Sequence, residues 1–286
     1  MALQSLESNP QLSFATRSPM DSLEKCIEKL SIGGITQFAG CFDNFLDLQL
    51  QFFCNNPNDR QRELFKHMHS NPDFKMNMIA AMQAYGEEAE GFKDPLGDMF
   101  MRRISHGEKG QFFTPDSVSL LMSEIVGIED GATVNDPACG SGRMLLNALK
   151  IARNEGKDIE LYANDLSMTC AKMTLLNFVT NSVAGEVTCG NALTLDYEHF
   201  TFFKIDRLRH MVSGAVFSTY WEYTLATAKD VEEQRRKWWL DIAEKGWIKH
   251  YRIKKDALPQ EHIDNFEDSY TLPTEIKTGT QLSLFE

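Results

Sequence analysis

The chain has 286 residues, of which 42% are hydrophobic and 24% charged, so it is long enough for a folded protein with a sizeable core, and disorder throughout is excluded. Its 29 Lys and Arg against 41 Asp and Glu give a formal net charge of -12, which excludes a basic field over the whole protein and leaves DNA contact to a local patch. No apolar run of about 18 residues and no secretory leader occurs, and the six cysteines form no CxxC pair or zinc-type cluster, so we expect a cytoplasmic protein with reduced cysteines, no metal and no membrane contact.

The first part of the chain is predicted to be helical. Residues 1–20 are polar and expected to be flexible, and residues 21–108 form a predicted helical N-terminal region, because LEKCIEKL and FAGCFDNFLDLQLQFF carry helical spacing. The segments NNPND and SNPDF indicate turns between helices. In KDPLGDMFMRRIS, Asp94 is placed as a helix cap and Pro95 at the first helical position.

Residues 109–228 alternate between helical and strand patterns. A first helix has Thr114 as its predicted cap and one face formed by Val118, Leu121, Met122 and Ile125. After it come a strand in ATVND, a helix in RMLLNALKIARN, a strand in IELYAND, a helix in LSMTCAKMTLLNFVTN and a strand in EVTCGN. Strands that alternate with helices predict βαβ units, and therefore a parallel sheet covered by helices on both faces.

Polar residues and glycines follow the three predicted strands. The segment DPACGSG, from Asp136 to Gly142, stands between the first strand and its helix, where glycines let the backbone approach a ligand closely. Asp165 ends the second strand, where a carboxylate can accept from both ribose hydroxyls, and Asn191 follows the third. Since parallel strands end at the same edge, these elements predict a nucleotide site; the alternatives are a different nucleotide for the loop, and for Asn191 a simple turn.

Ordered in this way, the residues resemble those of S-adenosylmethionine-dependent methyltransferases. GQFFTP, from Gly110 to Pro115, is similar to the signature of adenine-specific DNA methyltransferases such as the modification subunit of type I restriction-modification systems, and DPLGDMFM is similar to the segment before it. The resemblance covers roughly residues 94–200. It implies an α/β, Rossmann-like methyltransferase fold that follows the helical N-terminal region, with S-adenosylmethionine as cofactor. The implied cofactor-binding residues are Phe113, Thr114, Pro115, Asp136, Ala138, Gly140, Gly142, Asp165 and Asn191.

The catalytic element of the resembled family is missing. That element is a tetrapeptide of the type Asn-Pro-Pro-aromatic, whose carbonyl oxygens accept from the target amine while the aromatic ring stacks on a flipped base. Neither Asn-Pro-Pro nor Asp-Pro-Pro occurs in the 286 residues. GAVFSTYW stands where a fourth strand would carry it, so Ser218, Tyr220 and Trp221 are weak catalytic candidates, and the alternative is that these aromatic residues belong to the core.

The last two segments suggest partners. Residues 229–256 form a charged and aromatic helical segment in which RRKWW and WIKHYRIKK could contact DNA, or could pack on the sheet. Residues 257–286 form an acidic tail that ends in a QLSLF pentapeptide. It resembles the peptide by which bacterial proteins dock on the sliding clamp of the replicative polymerase, and implies clamp contacts through Gln281, Leu282, Leu284 and Phe285.

Two functions remain open. The first is an adenine-specific DNA methyltransferase, or the cofactor-binding part of one completed by a partner or specificity subunit. The second is a catalytically inactive, methyltransferase-like adaptor that keeps the S-adenosylmethionine pocket and associates with DNA or the sliding clamp.

Overall fold

A computed structural model describes residues 22–34, 37–105, 113–194, 196–210, 215–244 and 248–250. Within them, the N-terminal region consists of five helices, and the fifth continues as one π-helical turn at Met101–Ser105. The helical N-terminal region is therefore confirmed. Its helices are α1 at Leu23–Glu28, α2 at Phe38–Gln51, α3 at Asp59–Ser70, α4 at Pro72–Glu88 and α5 at Pro95–Phe100.

Side-chain caps explain where several of these helices begin. The Asn58 side chain accepts from the backbone N–H of Gln61, whose own side chain accepts from the Asn58 N–H, so α3 starts with a reciprocal capping box. Asn71 caps α4, and Asp94 caps α5 as predicted, by accepting from Gly97 N at 3.0 Å. The turn segments predicted from the sequence are thus the starts of helices.

A mixed six-stranded sheet follows, flanked by four helices, α6 at Asp116–Val126, α7 at Arg143–Asn154, α8 at Met168–Thr180 and α9 at Ala228–Glu244. The strand order is β1-β2-β3-β4-β5, and β6 pairs with β4. The strands are β1 at Thr133–Asp136, β2 at Glu160–Asp165, β3 at Ala184–Cys189, β4 at Thr201–His210, β5 at Val216–Tyr223 and β6 at Ile248–His250. The α/β class is confirmed.

The prediction of a wholly parallel sheet is wrong. The strands β1, β2 and β3 are parallel, whereas β4 runs antiparallel to β3, and β5 and β6 run antiparallel to β4. The reason lies in residues 190–200, whose described part has a short 3-10 turn at Tyr197–His199 and no crossover helix, so the chain returns in the opposite direction. The part of GAVFSTYW from Val216 onward accordingly lies in β5, the antiparallel fifth strand, and not in a fourth parallel strand.

The helix predicted after GQFFTP is α6, with its four apolar residues on one face as predicted, but the predicted cap is wrong. It begins at Asp116 with Pro115 in the N-cap position, so Thr114 does not cap it. Its apolar residues do share a face, yet that face is exposed, and the residues that α6 buries are Ser119 and Ser123. Helical periodicity identifies an apolar face without specifying what covers it.

One continuous core joins the N-terminal helices to the sheet through α8. Phe178, Leu175 and Leu176 of α8 are fully buried, and α2 contributes Phe42 and Phe45 to the same cluster. Two polar contacts cross this layer. The Tyr85 hydroxyl donates to Asn177 Oδ1 at 2.9 Å, and Lys172 pairs with the buried carboxylate of Asp47.

The edge of the sheet formed by β5 is covered by an extended segment, residues 53–58. The Tyr220 N–H donates to Phe53 O at 2.9 Å, and the Asn55 N–H donates to Tyr220 O at the same distance. Asn56 then exchanges two hydrogen bonds with the backbone of Glu222. The connection between α2 and α3 therefore continues the sheet by one short strand-like stretch.

The cysteines are free, as predicted. Cys26, Cys41, Cys139, Cys170 and Cys189 are buried, and Cys54 is half-buried. Among the residues that the structure describes, no group of three or more His, Cys, Asp or Glu is placed to hold a metal ion. In the same residues, no helix has the length and apolar character needed to cross a bilayer.

Candidate nucleotide-binding site

The glycine loop connects the end of β1 to the start of α7. Gly140 and Gly142 adopt φ angles of +58° and +80°, which residues with a side chain rarely adopt. Space is also lacking. A Cβ on Gly140 would lie 2.8 Å from the ring of Phe113, and one on Gly142 would lie 2.9 Å from Thr174. Both glycines are required by the shape of this loop.

Hydrogen bonds fix the loop against β2. The Cys139 N–H donates to Asn164 O at 2.9 Å, and the Gly140 N–H donates to Asp165 Oδ2 at 2.9 Å. The other carboxylate oxygen of Asp165 accepts from Ser167 N at 2.8 Å. Two backbone amides thus orient this carboxylate at the carboxyl end of β2.

Asp136 lies beside Asp165 at the ends of adjacent parallel strands. Asp136 Oδ1 accepts from Ala138 N at 3.0 Å. Burial raises the pKa of the Asp136 carboxyl, and the negative charge of Asp165 raises it further. Two neighbouring carboxylates make this end of the sheet suited to a ligand that carries positive charge or several hydroxyl donors.

The loop after β3 is joined to the same edge of the sheet. The Gly190 N–H donates to Asp165 O at 3.0 Å, and Asn164 Nδ2 donates to Gly190 O at 3.1 Å. Asn191 follows directly, and its side-chain oxygen accepts from Leu193 N at 3.0 Å, which forms a turn. The structure therefore brings Asp136, Asp165 and Asn191 to three consecutive strand ends.

Two leucines at this edge project into solvent. Leu166 follows Asp165 and is 73% exposed, and Leu193 lies two residues after Asn191 and is 94% exposed. Large apolar side chains beside polar strand ends are a feature that ligand sites share with interfaces. Sequence reasoning missed both, although a leucine directly after each polar strand-end motif was a readable signal.

Phe113 closes one side of the glycine loop. Its ring stacks on Phe100 with 5.7 Å between the ring centres and contacts Gly140. Thr114 Oγ1 lies 3.9 Å from Met144 Sδ at the start of α7, and Pro115 leads into α6. Gly110, Gln111 and Phe112 lie outside the described residues. The predicted Phe-Thr-Pro segment and the predicted glycine loop are thus neighbours.

A buried polar network supports the far side of the loop. Asp94 Oδ1 accepts from Gly97 N and from Asn177 Nδ2, while Asp94 Oδ2 accepts from the Ser141 hydroxyl and from Arg143 Nε. Burial raises the pKa of Asp94, and its hydrogen bonds and the Arg143 charge oppose that rise. Beyond its predicted role as a cap, Asp94 therefore holds the second half of DPACGSG.

The weak catalytic candidates lie within β5 and not at a strand end facing the loop. Ser218 and Tyr220 are fully buried. The Ser218 hydroxyl donates to Val183 O, and the Tyr220 hydroxyl accepts from Gln61 Nε2. Trp221 is 3% exposed and packs edge-on against Trp238. These positions favour the alternative that the aromatic residues belong to the core.

Part of the charged and aromatic segment also packs on the sheet. Arg235 is fully buried in an ion pair with Asp206 of β4, and Trp238 contacts Trp221. Residues 245–247 and 251–256, and the QLSLF pentapeptide with Gln281, Leu282, Leu284 and Phe285, lie outside the described residues. In α9, therefore, at least one arginine and one tryptophan of RRKWW serve packing.

Comparison with known proteins finds a family match that includes the glycine loop and the three strand ends. A sequence model of the N-6 DNA methylase family matches residues 93–251. The MjaVII methylase subunit of a type I restriction enzyme from Methanocaldococcus jannaschii is 31% identical over 99 residues, which are 32% of this chain and 17% of that protein. The MpnII methylase subunit of a type I restriction enzyme from Mycoplasma pneumoniae is 24% identical over 209 residues, 71% of this chain and 35% of that protein.

Among solved structures, the methyltransferase subunit of a type I restriction-modification system from Streptococcus thermophilus is similar to 62% of this chain and 40% of that chain. The sequence identity is 21% and the TM-score is 0.34. This chain spans about a sixth of the MjaVII subunit and about a third of the MpnII subunit. The residues that match the family model contain the glycine loop, Asp165 and Asn191.

Proposed function

This chain belongs to the N-6 DNA methylase family, and from that membership we propose that it binds S-adenosylmethionine beyond the carboxyl ends of β1, β2 and β3 and takes part in adenine methylation of DNA. S-adenosylmethionine is the cofactor that the family implies. The observation that carries the proposal is the convergence of the glycine loop and Asp165, joined by the hydrogen bond from Gly140 N to Asp165 Oδ2.

The donor set at this edge suits such a cofactor. Glycines at positive φ keep the loop free of side chains where a ligand would approach. The Asp165 carboxylate is oriented by Gly140 N and Ser167 N, as an acceptor for two ribose hydroxyls should be. The paired negative charges of Asp136 and Asp165 favour a ligand that carries a sulfonium and an ammonium group.

The exposed leucines suit the flat end of the same ligand. We assign Leu166 and Leu193 to the two faces of an adenine ring, with Asn191 at its polar edge. Neither leucine gains from its present position, because each leaves a large apolar side chain in water. Phe113, Thr114 and Pro115 are assigned to the methionine end, since Phe113 contacts Gly140.

The chemistry supplied by bound S-adenosylmethionine is a sulfonium methyl group, whose transfer to the adenine amine breaks one C–S bond, forms one C–N bond and releases one proton. The described residues of this chain would bind and orient this cofactor and exclude water from one side of it. Acceptors for the two amine hydrogens are expected from an Asn-Pro-Pro-aromatic tetrapeptide, which this sequence lacks. We therefore propose that a partner subunit completes the enzyme.

Leu193→Ala gives the sharpest test of the cofactor site. Because Leu193 is 94% exposed, its loss should leave thermal stability unchanged, and a weaker affinity can then be ascribed to a lost ligand contact. Burial of a leucine contributes about 1.5–3 kcal/mol, so a partial contact predicts roughly five- to tenfold weaker binding in isothermal titration. Met76→Ala, at a 55% exposed position of α4, is the matched control. No heat at millimolar S-adenosylmethionine with the wild-type chain would reject the proposal.

Methyl transfer is tested with tritiated cofactor and mixed DNA. Label in adenine with the chain alone would show that another element replaces the tetrapeptide, and label that needs a partner would support the proposed division. Binding without transfer under every partner condition would support the second candidate function, the inactive adaptor. That candidate is favoured by the missing tetrapeptide together with the QLSLF ending.

We also propose that the tail docks on a bacterial sliding clamp. An extended peptide would insert Leu284 and Phe285 into an apolar cleft while Gln281 bonds at its rim. Deletion of Gln281–Glu286 should abolish binding to purified clamp in a surface-based binding assay. Substitution of Lys277, upstream of the pentapeptide, by Ala is the control that should retain binding. Equal affinity of the deleted and full chains would reject the docking.

A further inference from the structure

The strand β1 is the end strand of the described sheet. Thr133–Asp136 pair with β2, and the described part of the chain places no other strand beside them. None of the four residues is buried, whereas the neighbouring β2 buries Leu161 and Ala163. Parallel sheets ordinarily have both faces covered by helices, and the unpaired backbone groups of an open edge are a ready template for another strand.

The opposite edge shows that this chain does cover edges elsewhere. Residues 53–58 run along β5 with backbone hydrogen bonds in both directions. The part of β4 that extends beyond β3 is paired with β6. The β1 edge is therefore open, whereas the β5 edge is covered.

The helix that leads into β1 is turned with its apolar face outward. Ser119 and Ser123 face α7, where Asn147 Nδ2 donates to Ser119 Oγ at 2.9 Å and to Asp116 Oδ1 at 3.0 Å. Five apolar side chains of α6 are between 45% and 77% exposed, and they are Val118, Leu121, Met122, Ile125 and Val126. A row of five exposed apolar side chains on one helix is typical of an interface.

Both features adjoin the candidate cofactor site. Asp136 ends β1, and Pro115 of the Phe-Thr-Pro segment directly precedes α6. In open α/β sheets the ligand lies where the strand order reverses, that is, between the first strand and a neighbour on its other side. In this chain the first strand has its neighbours β2 and β3 on one side only. A strand added to β1 would end beside the glycine loop.

We propose that the open edge of β1 and the apolar face of α6 form a docking surface for a second protein chain that supplies an apolar strand ending in the acceptor tetrapeptide. This inference rests on the proposed function, because it identifies where the completing subunit binds. The absence of Asn-Pro-Pro and Asp-Pro-Pro from all 286 residues favours such a partner over a second copy of this chain, which would add no acceptor group.

Photo-crosslinking in native host cells tests the proposal. A benzoylphenylalanine is introduced at Leu121 or Ile125 in the full chain, and at Met76 of α4 as a control with similar exposure. The expected result is one crosslinked protein, captured from both α6 positions and not from position 76. Its sequence must contain an Asn-Pro-Pro-aromatic or Asp-Pro-Pro-aromatic segment after an apolar strand, and co-purification with it must be lost in Leu121→Asp/Ile125→Asp and retained in Met76→Asp.

Other outcomes overturn the proposal. These are crosslinks to a second copy of this chain, crosslinks within the chain, crosslinks to proteins without the tetrapeptide, or no crosslink. The isolated Leu121→Asp/Ile125→Asp variant should melt within about 2 °C of wild type, since neither side chain is covered; a much larger fall would show that the chain itself covers this face. Titration of the isolated chain with S-adenosylmethionine is run in parallel, so failure of cofactor binding is distinguished from failure of docking.

Discussion

Gly140→Ala is the substitution that most directly tests the glycine loop. Gly140 adopts φ +58°, and a Cβ there would lie 2.8 Å from two ring carbons of Phe113. The ring cannot simply withdraw, because it is stacked on Phe100 with 5.7 Å between ring centres. The variant therefore combines backbone strain with a steric clash.

The two effects can be assigned magnitudes. A side chain in the left-handed region costs about 1–2 kcal/mol, and overpacking a filled site costs typically about 1–3 kcal/mol. Their sum, about 2–5 kcal/mol, is a large part of the roughly 5–15 kcal/mol by which folded proteins are stable. If the loop also moves, affinity for S-adenosylmethionine should fall at least tenfold, which corresponds to about 1.4 kcal/mol.

Two matched substitutions separate strain from clash. Gly156, after α7, has φ +71° with no atom within 4 Å of a Cβ. Gly156→Ala should therefore lose stability only through backbone strain, without a steric clash, and keep wild-type affinity. Gly86 lies within α4, also with free space, so Gly86→Ala should gain about 0.5–1 kcal/mol. Urea unfolding should rank stability as Gly86→Ala, wild type, Gly156→Ala and Gly140→Ala. Equal stability and affinity of Gly140→Ala and Gly156→Ala would refute the reasoning.

Three further predictions concern the ion pair between α9 and β4, the carboxylate of Asp136 and the buried thiols of Cys54 and Cys170. Arg235→Met leaves the buried Asp206 carboxylate without its principal partner, so denaturant unfolding should show a loss of about 3–5 kcal/mol, most of which Arg235→Met/Asp206→Leu recovers; equal instability of both variants would contradict this. The raised pKa of Asp136 means that its ionisation opposes folding: the stability it contributes is present at acid pH and is lost as pH rises through the folded pKa. Thermal melting should therefore show Asp136→Asn gaining on wild type as the pH rises above about 4, the ordinary pKa of an aspartate, and a pH-independent difference would count against it. Burial raises the pKa of Cys54 to about 11 and of Cys170 to about 12, so both should resist iodoacetamide at pH 8 in the native protein and react in guanidinium; rapid native labelling of either would disprove this.

The sequence was sufficient to predict the βαβαβ unit and its polar strand ends. Hydrophobic periodicity and the glycine turn depend on local chemistry, and β1, β2 and β3 with the loop at Gly140 follow from them. The direction of β4 was not predictable in the same way, because strand direction depends on what the connecting residues 190–200 form. The 3-10 turn there is a consequence of tertiary packing that includes Phe200, a buried residue.

The site was predicted in its positions more than in its contacts. Asp136 and Asp165 were predicted at strand ends because each stands at the end of an apolar strand pattern, and they lie at adjacent strand ends. The buried network around Asp94 was not foreseen, since its partners Ser141 and Asn177 are 47 and 83 residues away in the sequence. The exposed face of α6 was also not foreseen, because periodicity alone does not reveal that Ser119 is on the inner side.

The contact between residues 53–58 and β5 has a consequence for how the molecule assembles. Its side-chain bonds join residues that are 164 to 166 positions apart, as from Asn55 to Thr219 and from Asn56 to Glu222. Pairings of such sequence separation slow folding, because a long loop must close before they form. During synthesis the early helices leave the ribosome long before β5 exists. We therefore expect chaperones to meet a nascent chain in which the α2–α3 connection is still unpaired.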